Sequence, residues 1–201
     1  MGELTVAADL AWRVAALEAR RGGAAAISTD HLLVALLSLE KLVEPSAGLE
    51  PERREAVRQE YERLTGLLTE VGLDAAVLRR AIRARIPTGD GQLAAGLHRD
   101  RDCRALFERG AALAEERANV PCSVLHLLAA ALEAPTSALL SATPRPAIGD
   151  AVFERLRARV NSAITPTVPN YQTGPAPDPG PRLPPEVEPP GPELPLLSPR
   201  D

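Results

Sequence analysis

Aromatic side chains are nearly missing from this chain: Trp, Tyr and Phe together make 2% of its 201 residues, although 45% are apolar. Any core must therefore be assembled from Leu, Ala, Val and Ile, and with β-branched and aromatic residues scarce that composition favours packed helices over sheets. The same scarcity removes the stacking platform of single-strand nucleic-acid binders, and a net charge of −4 with a pI near 5.5 removes the basic footprint. Lysine is scarcer still, since Lys41 is the only one and every other side-chain cation apart from histidine is arginine. A phosphate-binding loop needs a lysine just after glycine, whereas Lys41 follows Glu40 in a leucine-rich stretch. A Schiff-base lysine would have to be the same residue, with no pocket signalled around it. ATP hydrolysis and lysine chemistry are thus not expected, and no cofactor is implied.

Cysteine is limited to Cys103 and Cys122, which read as small core residues in a reducing compartment. Residues 1–21 carry acids and arginines where an export signal would be apolar. No run approaches the roughly 18 apolar residues of a spanning helix. The expectation is a cytoplasmic protein without membrane contact.

What the chain does have is a phrase said twice. Residues 28–37 read Ser-Thr-Asp-His-Leu-Leu-Val-Ala-Leu-Leu, and residues 123–132 read Ser-Val-Leu-His-Leu-Leu-Ala-Ala-Ala-Leu. Each follows a long Ala/Arg/Glu-rich helical pattern and precedes further helical patterns. Repetition of the phrase in the same order of elements indicates an internal duplication.

Taken in order, residues 4–21 form a helix capped by Thr5 or a neighbour, with Leu10, Val14, Leu17 and neighbouring alanines as its apolar stripe and Gly22-Gly23 as its stop. Trp12 reads as a partly buried packing residue. Ser28 or Thr29 caps the next helix, and Asp30 suits its positive first turn. Leu32, Leu33, Leu36 and Leu37 share one face, which makes this the most buried helix of its half. A turn over 43–50 leads to Pro51, a first-turn proline. The helix from Glu52 to Val71 is charged on most sides, with Val57, Tyr61, Leu64, Leu68 and Val71 as a narrow stripe. Gly72 ends it, and Asp74 caps a short helix carrying Ala75, Val77, Leu78 and Ile82. A connector spans 87–99. Residues 101–117 then align with 5–21, Leu106 falling where Leu10 was. Ser123 caps the second motif helix, a short helix covers 136–142, and Asp150 caps a last helix carrying Val152, Phe153, Leu156 and Val160. From Thr165 onward stand thirteen of the twenty prolines, a composition that predicts a stiff, disordered tail.

The order of four helices, a linker and four more, with Thr29-Asp30-His31-Leu32-Leu33 opening the second helix and Gly72-Leu73-Asp74 before the fourth, resembles the N-terminal repeat domain of the Clp ATPases. The resemblance covers about 4–163. It implies an all-α fold of two four-helix repeats packed with pseudo-two-fold symmetry: repeat 1 over 1–86 with a lengthened third helix, a connector over 87–99, repeat 2 over 100–163 and the Pro-rich tail over 164–201. It also implies a non-catalytic module that receives adaptors or substrates for a Clp protease or chaperone machine. Thr29 and Asp30 match the positions through which such a domain would touch a peptide, while His31, Leu32, Leu33, His126, Leu127 and Leu128 match the structural part of the motif. Some members recognise phosphorylated arginine through the acid of each motif; here the second acidic position is Leu125 and the threonine position is Val124, so half of such a site is missing.

Cys122 and His126 stand four apart, a metal-ligand spacing on a helix. Zinc needs about four such ligands, and only His98 and Cys103 remain, both near the connector. Both motif histidines are therefore expected to pack and bond at the interface of the repeats, and no metal site is expected. As an alternative from another class, the long third helix with its narrow stripe fits a helical scaffold or dimerisation module unrelated to proteolysis.

Overall fold

Thr5 opens the first helix, its hydroxyl accepting from the Ala8 amide at 3.3 Å. This computed structural model describes residues 3–44, 48–89, 97–118, 120–142 and 146–165, apart from the side chains of 117, 118 and 146–150. Helix α1, Val6–Arg21, ends at Gly22 and at Gly23, whose φ is 64°. Its buried face is Ala7, Ala8, Ala11, Ala15 and Ala19. The alanines of the expected stripe form that face, and its large members lie beside it, Leu10 and Val14 half-buried and Leu17 49% exposed. The reason is distance: methyl side chains let neighbouring helices approach along the alanine row, where leucines would hold them apart.

Strand β1, Ala26–Ile27, precedes α2, Thr29–Leu36, which is buried along almost its whole length. A single extra turn, α3, Glu40–Val43, follows. Helix α4, Pro51–Glu70, has 20 residues, with the expected proline at its start; at about 1.5 Å per residue it is about 30 Å long. Its stripe of Val57, Leu64 and Leu68 is buried within the chain. Gly72, at φ 79°, reverses the chain into α5, Ala75–Arg83, capped by Asp74 through the Val77 amide at 2.7 Å. On α5, Leu78 and Ile82 are buried but Val77 faces outward.

Strand β2, His98–Arg99, leads into α6, Arg101–Ala118, followed by α7, Val124–Glu133, α8, Ser137–Ser141, and α9, Pro146–Ile164. α6 and α7 cross closely at Gly110, where a β-carbon would stand 3.1 Å from Leu127 Cδ2 and 3.3 Å from Cys122 Sγ. Asp150 does not cap the last helix. The helix begins at Pro146, whose preset φ suits a first turn, and Asp150 lies inside it. The expected connector over 87–99 is structured at its end as β2, and residues 90–96 lie outside the described part, as does the Pro-rich tail beyond 165.

Two short backbone stitches hold the arrangement together. β1 pairs in parallel with β2, Ala26 beside His98 and Ile27 beside Arg99. The chain before α1 pairs with the chain before α7: Thr5 N–H donates to the Cys122 carbonyl at 3.0 Å and Cys122 N–H to that of Glu3 at 2.7 Å. The entry to the first helix of each half is thus tied to the entry of the other half's motif helix. Trp12 and Phe107 add an edge-to-face contact at 5.6 Å, and the Arg99 guanidinium lies 5.3 and 5.0 Å from their ring centres. The core is aliphatic, with Ile27, Leu32, Leu36, Leu64, Leu113, Leu127 and Leu156 all nearly inaccessible. Among the described residues no helix is long and apolar enough to cross a membrane.

Candidate functional site

Both repeated phrases fold into the same local device, and histidine is its hinge pin. Ser28 is the N-cap of α2; its hydroxyl accepts from the His31 amide at 3.4 Å, while its own N–H donates to His31 Nδ1 at 3.2 Å. The hydroxyl also lies 2.8 Å from Nδ1. An amide can only donate, so Nδ1 is an acceptor and the ring proton sits on Nε2. Ser123 and His126 repeat the arrangement at α7, with 3.1 Å from the Ser123 amide to Nδ1 and 2.8 Å from its hydroxyl. A glutamate or glutamine usually makes this reciprocal bond; here a buried imidazole does. Burial holds the His31 pKa below its ordinary value, with Asp30, Glu18 and Asp100 pulling weakly the other way. The histidines expected at the repeat interface thus serve the helix ends that bear them, and Leu32, Leu33, Leu127 and Leu128 are core.

With Ser28 as cap, Thr29 becomes the first helical residue. It is only 5% exposed, and among the described residues its hydroxyl has no hydrogen-bonding partner. It lines a cleft of about 570 Å³ walled by α6 and the α7–α8 turn, with Asp102, Leu106, Arg109, Glu133 and Thr136 among the other lining residues. Asp30 does not line the cleft. Its Oδ1 accepts a hydrogen bond of 2.5 Å from the Thr136 hydroxyl, which in turn accepts from the Leu139 amide at 3.1 Å as the cap of α8. The motif acid therefore ties α2 to the N-terminus of α8 and fixes Thr136 at the cleft wall.

Arg109 stands at the rim, forked onto Glu133 at 2.6 and 3.0 Å and reaching Glu116 at 3.2 Å. That fork holds the Glu133 carboxyl below its usual range and raises the Arg109 pKa. Asp102, in the first turn of α6, is exposed and has no hydrogen bond or ion pair among the described residues. The cleft thus combines apolar lining, a hydroxyl with no hydrogen bond among the described residues, an unpaired carboxylate and an arginine whose charge is already matched.

The second motif ends differently. Val124, in the place of Thr29, is fully buried, and its amide donates to Glu60 Oε2 of α4 at 3.0 Å. Leu125, in the place of Asp30, is buried. Cys103 and Cys122 are buried thiols whose pKa values burial pushes up to about 12, the opposite of an activated nucleophile. Among the described residues, no three His, Cys, Asp or Glu side chains gather where they could hold a metal.

Of the residues singled out in sequence, the structure brings Thr29 to the cleft and sets Asp30 behind it. Sequence reasoning missed Asp102, Arg109 and Glu133 as walls and Glu60 as the acceptor for the Val124 amide of α7. Arg109 and Glu133 are 24 positions apart and Glu60 and Val124 64 apart, so no local pattern announces either pair.

Helices stacked around two capped, leucine-rich motif helices form the architecture of the Clp N-terminal domains, and the chain is a module of that fold. In particular it superposes on the N-terminal domain of Hsp104 from Candida albicans with a TM-score of 0.53 and 11% identity, over 79% of this chain and 89% of that one. No protein-family model matches the sequence, and no curated protein does. At that identity the likeness is one of fold.

Proposed function

We propose that this chain is a non-catalytic protein-binding module of the Clp N-terminal type, divided into repeats at 1–86 and 100–163. In this reading it recruits or modulates substrates or adaptors of a cytoplasmic Clp protease or chaperone machine, and the cleft at Thr29 is its peptide seat. The observation that carries the reading is the cleft itself: Thr29 lines it with a hydroxyl that makes no hydrogen bond among the described residues, beside Leu106 and the exposed carboxylate of Asp102. A hydroxyl both donates and accepts, so it can pair with a polar group of a ligand seated in the cleft. The rim selects the ligand's sign. Asp102 is a free carboxylate, whereas Arg109 is already matched by Glu133 and Glu116. A segment carrying an unmodified arginine or lysine beside small apolar residues fits; a phosphorylated arginine would bring its anion against Asp102. Asp30 serves the seat indirectly, by holding Thr136 in its wall.

The assembly reading drew on the apolar stripe of α4, and that stripe is used inside the chain: Val57, Leu64 and Leu68 are buried. The outer face carries the Glu55–Arg58–Glu62 ion pairs.

The test is titration of the chain with a short fluorescent peptide bearing one arginine, beside a twin bearing neutral citrulline. Thr29→Val is expected to weaken arginine-peptide binding about 2–10-fold, the worth of one hydrogen bond, and Asp102→Asn to erase the preference over citrulline. Equal binding of the twins would remove the cationic ligand. Failure of Thr29→Val to change affinity would remove the cleft. The link to a Clp machine is tested separately, by capture from a lysate of the source organism; recovery of no Clp subunit, adaptor or degradation substrate would discard it.

A further inference from the structure

The duplicated boxes are alike in their caps and unlike in what covers them. At α2, the first helical residue opens on a cleft whose far wall is α6. The register that places Leu106 opposite Leu10 makes Val6, Leu10 and Arg13 of α1 the counterparts of Asp102, Leu106 and Arg109. At that corresponding place beside α7, among the described residues, valines stand where the hydroxyl of Thr29 and the carboxylate of Asp102 would be, Val124 for the one and Val6 for the other. Val124 is fully buried, Arg13 is taken by Asp9 at 2.9 Å, and α4 packs against both α1 and α7.

We infer that α4 is a built-in occupant of the second box, with the Glu60 carboxylate on the Val124 amide, so that the domain offers one peptide seat, at α2. This rests on the reading of the α2 cleft as that seat. The first turn of a helix favours a carboxylate. α2 carries its own, Asp30, whereas α7 has lost it to Leu125 and receives one from α4 across 64 positions. The exchange is consistent in its parts: an apolar residue at 125 suits a covered site, and a long α4 supplies the cover.

The cover is fastened along its length. Tyr61 OH donates to Glu40 at 3.2 Å, and Glu40 is paired with Arg79, whose side chain is nearly buried. At the far end Glu70 pairs with Arg159 of α9 at 3.3 Å. Three attachments to three other helices (α3, α7 and α9) make α4 a fixed part of the domain and not a lid. The consequence for function is valency: two motifs in sequence, one binding event per chain.

The experiment is a ¹H–¹⁵N titration of the full chain with the peptide acetyl-Ala-Arg-Ala-amide, with amide hydrogen exchange measured on the same chain and on E60A and E60Q. The expected result is shifts at Thr29, Asp102, Arg109 and Thr136, none at Val124 or Leu125, and a fit to one site. Val124 exchange should be at least tenfold faster in E60A than in the unaltered chain and nearly unchanged in E60Q, which keeps an acceptor. Shifts at Val124 and Leu125 in the unaltered chain, or a second site, would overturn the single seat while leaving the α2 seat standing. No shift at either end would overturn the seat itself. The closure would then be decided by exchange alone: equal Val124 rates in the unaltered chain and E60A would overturn it.

Discussion

Acid should loosen this domain through a histidine that never leaves its helix end. His31 Nδ1 accepts from the Ser28 amide at 3.2 Å and lies 2.8 Å from the Ser28 hydroxyl, so a proton on Nδ1 breaks the amide contact, setting two N–H donors face to face, and leaves the hydroxyl only an acceptor's role. Burial holds the folded-state pKa of His31 below its ordinary 6.5, against the weaker pull of Asp30, Glu18 and Asp100. Between those two values the unfolded chain binds a proton that the folded chain refuses, so stability is complete above pH 6.5 and falls as the pH drops below it. The cap itself sets the scale. A lost N-cap costs about 0.5–2 kcal/mol, and for a domain of this size about 1 kcal/mol moves the Tm by about 2–4 °C.

The assay is thermal and urea unfolding from pH 7.5 to 5.0 for the unaltered chain and for His31→Gln. Glutamine retains the reciprocal bond of the box without titrating, while His98, His126 and every carboxylate remain in both chains. The gap between the two curves therefore isolates His31. It should widen below pH 6.5 by about 0.5–2 kcal/mol, with the unaltered chain the less stable. Parallel curves across that range would refute the reasoning, since they would mean that His31 takes its proton without cost to the cap.

Two further outcomes follow from burial. Leu33→Ala should lower unfolding stability by about 2–5 kcal/mol, because Leu33 is 2% exposed on the motif face; a loss under about 1 kcal/mol in urea denaturation would show that the site collapses around the gap. Cys103 and Cys122, buried and with pKa values near 12, should stay unlabelled by a thiol-exchange dye at pH 8 until urea unfolds the chain. Stoichiometric labelling of the folded chain within seconds would count against their placement.

Part of the candidate site was legible in order along the chain. Ser28, Ser123, Thr5 and Asp74 are caps because a short oxygen-bearing side chain beside an apolar run has one good use there, and all four stand at helix N-termini in the structure. The burial of Leu32, Leu33, Leu36 and Leu37 followed from their spacing on one helix face. The stripe on α1 held in its alanines and failed at Leu17, because periodicity weighs large apolar residues equally, whereas the close approach of two helices selects small ones. Asp150 was misjudged for a related reason, since a good cap residue is not used when Pro146 has already opened the helix.

The sequence by itself determined the helical class, the twice-used capped histidine–leucine phrase and the likeness in fold to a Clp N-terminal domain. Each rests on interactions a few residues long, between a cap and its first turn or among positions on one helix face. Only the tertiary structure decided that Asp30 is spent on Thr136, that Arg109 and Glu133 close one rim of the cleft, and that Glu60 covers the second motif. Those partners are 24 to 106 positions apart, and nothing local records which distant side chain will arrive. The physical reason is that a carboxylate in the first turn of a helix is favourable whatever it bonds: the pattern places the charge, and the packing of other helices chooses its partner.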